Sequence, residues 1–388
     1  MNVYSQIISN VYSEPEASDI VASYSPTELE GISCLLINMP IREQARPNNA
    51  PLGLCLLAAQ LKKYGANAQI LDLNSYRVHD RFSSSRNLKN GRVLLEEEAE
   101  NKIREYLEIR EYDLIALSGL ITTLSWQKLV LKIIKNLSPK SYVISGGGLA
   151  TEFREDLVKW MPKLDGIAHS EGDDIILKIA KDAYKMKNKT KISVKEKAEI
   201  IAPSKYVLND KNLYAVYKGG RPKDLDELPL PDWDLLEKDI NNEAILENYI
   251  NTPIWGKDAN NSSVISFSMK RSLNTVSSRG CPFACKFCFR GAQGERNYGI
   301  RSPESLFCEM RKYVERYHID FLGYVDDNFA VSRKRILDLE NLVSNWIKKN
   351  PLVWGTHARL DEAADIKATK NELIEFNEPL RVKSMYNA

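Results

Sequence analysis

Three cysteines fall within eight residues, in the run Ser278-Arg279-Gly280-Cys281-Pro282-Phe283-Ala284-Cys285-Lys286-Phe287-Cys288-Phe289. Soft thiolates suit iron–sulfur or zinc sites. Three of them in a short loop at a strand end can ligate three irons of a cubane, leaving the fourth iron open to chelate the amino and carboxylate groups of a small molecule. The alternative is structural zinc, which needs four ligands in a closed tetrahedral shell; Cys308 or His318 would have to supply the fourth. A ferredoxin run would need a fourth cysteine, and the loop has none. Cys34, Cys55 and Cys308 are scattered, and six cysteines in 388 residues do not make a disulfide scaffold.

The elements that must position this loop can be read on either side of it. Val264 to Ser278 contains a strand that feeds the loop. Downstream, Ser302 is an N-cap with Pro303 at the first helical position and Glu304 in the first turn. Leu306, Phe307, Met310, Tyr313, Val314 and Tyr317 then form one apolar stripe. Ile319 to Val325 reads as a strand, Ser332 caps a second helix with Ile336, Leu339, Leu342, Val343 and Trp346 inward, and Leu352 to Thr356 reads as a third strand. After Leu360 the signals fade.

Upstream, residues 31–184 alternate strand and helix signals. Strands are expected at Ile32 to Asn38, Ala68 to Leu73, Asp113 to Ser118, Tyr142 to Ser145 and Asp165 to Ser170. Helices are expected at Pro51 to Tyr64, Val93 to Arg110, Trp126 to Leu137 and from near Thr151. Such alternation implies a parallel sheet with helices on both faces. Residues 185–262 break the pattern. KMKNKTKISVKEK is a Lys-rich run read as a solvated connector, and LDELPLPDWDLL, with two prolines, is read as an ordered linker laid over a surface. Residues 1–30 are polar and expected to be loosely ordered.

The C-x3-C-x2-C spacing, with Phe287 just before the last cysteine, resembles the radical S-adenosylmethionine (SAM) superfamily. Arg301-Ser302-Pro303-Glu304, Tyr324-Val325-Asp326-Asp327-Asn328-Phe329 and Trp354-Gly355-Thr356-His357-Ala358-Arg359-Leu360-Asp361 resemble segments of the members that carry an N-terminal cobalamin domain. The resemblance implies a [4Fe–4S] cluster on Cys281, Cys285 and Cys288 and reductive cleavage of SAM to a 5′-deoxyadenosyl radical. It places Phe287, Asp326, Asp327 and Arg359 around SAM: the aspartates at the end of the second barrel strand toward the amino group, and Arg359 toward the carboxylate. Read without the resemblance, the aspartates cap a turn or helix and Arg359 is a surface arginine.

Ser118-Gly119-Leu120-Ile121-Thr122 and Gly146-Gly147 follow consecutive strands and resemble the S-x-L-x-T and G-G elements of cobalamin-binding domains. There the hydroxyls face the nucleotide tail, and the glycines, lacking Cβ, let it pass close to the backbone. The implied cobalamin set is Ser118, Thr122, Gly146, Gly147, Glu171 and Gly172; ordinary tight turns are the alternative. The histidine that ligates cobalt in other cobalamin domains has no counterpart in Asn38-Met39-Pro40-Ile41-Arg42-Glu43, and His79 reads as a loop residue. This absence fits the radical SAM methylases.

The expected architecture is α/β: an extension (1–30), a Rossmann-like, flavodoxin-like cobalamin domain (31–184), a linker region (185–262) and a partial (βα) radical SAM barrel (263–388). At ~30 residues per βα unit, six units need about 180 residues. One hundred follow Cys288. Either the chain is truncated, or another polypeptide completes the barrel, or this is a degenerate form, and this chain by itself is not expected to turn over as a complete methyltransferase. A net charge of +2 gives no argument for nucleic acid or an anionic membrane. No apolar run approaches ~20 residues, and the N-terminus lacks a signal-peptide pattern, so a cytoplasmic protein is expected. The functions to separate are methylation of an unreactive carbon or phosphorus centre, cyclisation or ring rearrangement, and a non-catalytic cobalamin- or cluster-binding role. Expected partners are a small-molecule or peptide substrate and an electron donor such as flavodoxin or ferredoxin.

Overall fold

The structure, a computed structural model, describes residues 6–8, 23–41, 49–88, 91–187, 189, 194–201, 203–209, 212–251, 269–286, 288, 298–350 and 352–356. The chain divides into two compact units. The first takes residues 1–46, 53–223 and 229–245, and the second 47–52, 224–228 and 246–388.

Short apolar runs bounded by polar or glycine stops build the first unit. Its strands are β1 (Gln6–Ile8), β2 (Ser33–Asn38), β3 (Asn67–Asp72), β4 (Leu114–Ser118), β5 (Tyr142–Gly146), β6 (Gly166–His169), β7 (Lys205–Asn209) and β8 (Asn212–Lys218). They form one sheet in the order β1-β7-β8-β6-β5-β4-β2-β3. Strands β2 to β6 and β8 run parallel, while β7 is antiparallel to β8 and β1 to β7. Leu35, Leu36, Ile37, Ile115, Val143, Ile167 and Val216 are completely buried, as expected of parallel strands covered on both faces. Helices Leu52–Lys63, Glu96–Ile109, Leu124–Leu137 and Ile175–Met186 supply that cover.

Within this sheet the five strands β3-β2-β4-β5-β6 have the flavodoxin order. Connections leave β2 toward one edge and β4 toward the other. A crevice therefore opens beyond the carboxyl ends of these two strands, where Asn38 pairs in register with Ser118.

Two expectations are corrected here. Part of the 185–262 linker region is regular structure: the helices Val194–Ile200 and Ile245–Ile250 and the β7–β8 hairpin. The segment Leu213–Tyr217 is buried because β8 lies between β6 and β7; the Lys-rich run before it hid its strand character. Gln6–Ile8, in the extension expected to be loosely ordered, pairs with Tyr206–Leu208 and adds a strand to the sheet beyond β7. The proline-rich linker is ordered as expected. Trp233 is fully buried, the Asp232 N–H donates to the Cys55 carbonyl, and Lys62 pairs with the Asp232 carboxylate at 2.5 Å.

The second unit holds β9 (Ser272–Thr275), β10 (Ser278–Gly280), β11 (Tyr298–Ile300), β12 (Phe321–Tyr324) and β13 (Val353–Thr356). Strands β9, β12 and β13 make a parallel sheet in the order β13-β12-β9, and β10 and β11 form an antiparallel hairpin. Helices Pro303–Tyr317 and Arg333–Ile347 are capped as the sequence indicates. Ser302 accepts from the Ser305 N–H at 3.1 Å and Ser332 from the Arg335 N–H at 3.3 Å. Among the described residues no helix is long and apolar enough to cross a membrane.

His169, at the end of β6, is buried, and its Nδ1 lies 3.1 Å from the Ser170 hydroxyl. Burial, then the nearby Arg154 and Lys218 charges, push its pKa from 6.5 down to about 4. The unfolded chain thus binds a proton that the folded one refuses. The stability linked to His169 is complete above pH 6.5 and is lost as pH falls toward 4. The His169→Gln variant should lose this acid sensitivity, a difference of up to roughly 3 kcal/mol, read from urea midpoints at stepwise lower pH; parallel curves for the two proteins would contradict the assignment.

Candidate functional site

The cysteine loop is carried by a hairpin. Strand β9 ends at Thr275, Val276 and Ser277 turn the chain, and β10 delivers it to Cys281. Strand β11 brings it back, after which the Arg301 N–H donates to the Ser277 carbonyl at 2.9 Å. Cys281, Cys285 and Cys288 are half-buried and outside any disulfide, and the Cys288 N–H donates to the Cys285 carbonyl at 3.1 Å, closing a tight turn between the last two. Gly280, immediately before Cys281, has φ +77°, a left-handed conformation that a side chain makes costly. Among the described residues no three His, Cys, Asp or Glu side chains converge on one point as a single-ion site requires. Cys308, the fourth zinc ligand weighed above, is exposed on the helix Pro303–Tyr317. The donor set, three cysteine thiols spread along one loop and outside any disulfide, fits a multi-iron cluster.

Beneath the loop lies a buried polar frame. Asp326, 4% exposed, follows β12. It accepts from the Ser277 N–H at 2.7 Å, the Ser278 hydroxyl at 2.9 Å and the Ser277 hydroxyl. Arg335 donates to the Ser277 carbonyl at 3.1 Å and to its hydroxyl at 2.7 Å. Arg301 donates to the Val276 carbonyl at 3.2 Å and pairs with Glu309 at 2.5 Å. Glu309, wholly buried, also accepts from the Thr275 and Tyr313 hydroxyls at 2.8 and 2.6 Å. Burial raises the Asp326 pKa, against the opposing pull of its hydrogen bonds from Ser277 and Ser278, and burial lowers that of Arg335.

Sequence reasoning placed Asp326 and Asp327 together. The structure separates them: Asp326 is engaged by protein donors, and Asp327 is at the surface. Phe287 and Arg359 lie outside the described residues. Ser277, Arg301, Glu309 and Arg335 were not singled out as site residues. The available signal was charge at core positions: Glu309 sits in the stripe of Leu306, Met310 and Tyr313, and Arg335 beside Ile336 and Leu339.

In the first unit the cobalamin candidates gather along the carboxyl edge of the sheet. Ser118 and Gly146 are register partners at the ends of β4 and β5. Thr122 is exposed on the short turn Ile121–Thr123, whereas Thr123 is buried and bonds back to Leu120. Gly147 is exposed with φ +76°, and a Cβ there would stand 3.0 Å from the Ser118 hydroxyl oxygen. The S-x-L-x-T and G-G turns thus approach each other so closely that a side chain at Gly147 would press on Ser118 and be strained at this positive φ. Glu171 and Gly172 follow β6; Glu171 pairs with Arg221 at 2.5 Å, and a Cβ on Gly172 would meet Leu57 at 3.2 Å. His79 is exposed in its loop. Beyond β2 and β4, at the switch point, Ile41, Leu120 and Ile121 expose 39, 49 and 44% of their surface. Large apolar side chains grouped on an exposed edge mark a ligand or partner surface.

The first unit is a parallel α/β sheet in flavodoxin order, and the second is a parallel βα unit that carries the thiol loop. In fold the chain resembles OxsB, a cobalamin-dependent S-adenosylmethionine radical enzyme solved with aqua-cobalamin and S-adenosylmethionine bound: TM-score 0.60, 17% identity, 90% of this chain and 42% of OxsB. OxsB with aqua-cobalamin alone gives the same values. In sequence the chain is 23% identical to an uncharacterized methyltransferase of Pyrococcus horikoshii over 232 residues, 58% of this chain and 42% of that protein. A shorter stretch of 72 residues, 19% of this chain and 14% of the relative, is 35% identical to the hopanoid C-2 methylase of Rhodopseudomonas palustris. The chain thus spans less than half the length of each of these proteins. No family model matches.

Gly280→Ala should disturb the loop, because an L-residue in the left-handed region costs about 1–2 kcal/mol and the relaxed backbone re-aims Cys281. The expected outcome is a lower yield of protein-bound iron after anaerobic reconstitution, with the circular dichroism of the folded chain retained. Unchanged iron binding would show that the loop tolerates the strain.

Proposed function

We propose that the chain is a cobalamin-dependent radical SAM enzyme that transfers a methyl group. The observation that carries this reading is the loop itself: three cysteine thiols, none in a disulfide, on a hairpin at the carboxyl end of a parallel strand, the end at which α/β proteins bind ligands. Cys281, Cys285 and Cys288 would hold the cluster. Asp327, at the surface beyond β12, is the better placed of the two aspartates to meet SAM, with Phe287 and Arg359 completing the set implied by resemblance. In the first unit Ser118, Thr122, Gly146, Gly147, Glu171 and Gly172 would line the cobalamin site, and Leu120 and Ile121 would give the macrocycle an apolar surface. When bound, the cluster supplies the electron that cleaves SAM and cobalamin carries the methyl group. The protein's part is to hold both cofactors and exclude competing reactions. Both sequence relatives are named as methylating enzymes, which favours methyl transfer over cyclisation. A small-molecule or peptide substrate and a flavodoxin or ferredoxin electron donor belong to the same proposal.

Anaerobic reconstitution of the full chain with iron, sulfide and hydroxocobalamin tests it. The wild type should take up iron and sulfide with broad visible absorption, and with SAM and a reductant should form 5′-deoxyadenosine. The triple variant Cys281→Ala, Cys285→Ala, Cys288→Ala should lose all of these. Stoichiometric zinc in place of iron would overturn the cluster assignment.

Hydroxocobalamin binding, followed by its visible spectrum, should be abolished by Gly147→Val, which places branched carbons against Ser118 and over the edge where the ligand passes. Retention of flavin instead of cobalamin by the wild type would remove this half of the reading.

A further inference from the structure

We infer that Asp326, Arg335 and Ser277 form a buried positioning clamp that presets the cysteine loop for its cluster, and that Asp326 acts through the protein rather than by touching SAM. The inference rests on the cluster reading above. Three charged side chains from three separate elements hold one short stretch of chain, Val276–Ser278. Asp326 comes from the turn after β12, Arg335 from the helix Arg333–Ile347, and Arg301 from just after β11. The Ser277 hydroxyl donates to the Asp326 carboxylate and accepts from Arg335 at 2.7 Å, so a single hydroxyl links opposite charges that make no direct ion pair. Its N–H and carbonyl are claimed as well, by Asp326 at 2.7 Å and by Arg335 at 3.1 Å.

Fold stability alone does not call for such an arrangement. Buried ionised groups are costly to desolvate, and apolar replacements of similar volume often match or exceed their contribution. Charged groups do better than apolar ones at fixing direction, because each hydrogen bond sets an angle as well as a distance. Ser277 lies four residues before Cys281, with Gly280 locked between them. The clamp therefore fixes where the loop departs from the sheet. Residues that orient metal ligands without touching the metal typically carry about 10–100-fold of the affinity.

The test uses the full chain, reconstituted anaerobically with iron and sulfide. Iron release to a ferrous chelator and the electron paramagnetic resonance spectrum of the reduced protein are compared for wild type, Asp326→Asn, Arg335→Lys and Ser277→Ala. Ser277→Ala removes a single hydroxyl and keeps the test decisive if a charge variant fails to fold. Asp113→Asn, which breaks the 2.8 Å ion pair to Lys187 in the first unit, is the control for lost stability. The clamp variants should release iron about ten-fold faster and show a shifted spectrum, while the control keeps the wild-type rate and spectrum. Wild-type rates and spectra in foldable clamp variants would overturn the clamp and leave the cluster standing. A wild type that takes up no iron would overturn both.

Discussion

The second unit depends on how charge is neutralised beneath the cysteine loop. Glu309 is wholly buried and Asp326 nearly so, in a region where an unpaired carboxylate would cost several kcal/mol to desolvate. Each is met by donors from elsewhere in the chain: Arg301, Thr275 and Tyr313 around Glu309, and Ser277 and Ser278 around Asp326, with Arg335 behind Ser277. These bonds can form only when β9, β12 and the two helices stand in register. The polar frame and the parallel sheet therefore specify each other, and the loop that leaves β10 inherits its direction from both. Trp354 packs edge to face on both Tyr324 and Phe329, whose rings meet at a tilt, and all three side chains are buried.

The first unit meets a different constraint. Parallel strands buried on both faces leave only the carboxyl edge for chemistry. The reversal of strand order between the parallel neighbours β2 and β4 makes a crevice there without any special side chain. What the sequence adds is permission for close approach: small residues at Gly147 and Ser118 let two strand-end turns pack together, while Leu120 and Ile121 face outward. The β7–β8 hairpin and β1 extend the far side of the sheet, away from the crevice, so the added strands leave the switch point as the five central strands define it.

Much of this was legible in the residues themselves. The periodicity of the five central strands and three of the four covering helices, the Ser302 and Ser332 caps, and the three-thiol loop all depend on neighbours in sequence, which is where propensity, capping and ligand spacing act. Local signals failed where burial was decided by distant partners. Leu213–Tyr217 becomes a strand because β6 and β7 flank it, and Gln6–Ile8 because an open edge is available on β7. Neither condition can be read within a short window.

The candidate site divides in the same way. The sequence by itself determined which atoms can bind iron, because thiol chemistry and spacing along a loop are covalent facts. Only the tertiary structure decided that Asp326 faces inward and Asp327 outward, that Arg335 reaches Ser277 across 58 positions of sequence, and that Glu309 belongs to the frame rather than to a solvated helix face. Direction and burial are properties of packing, and packing is set by residues far apart in the chain.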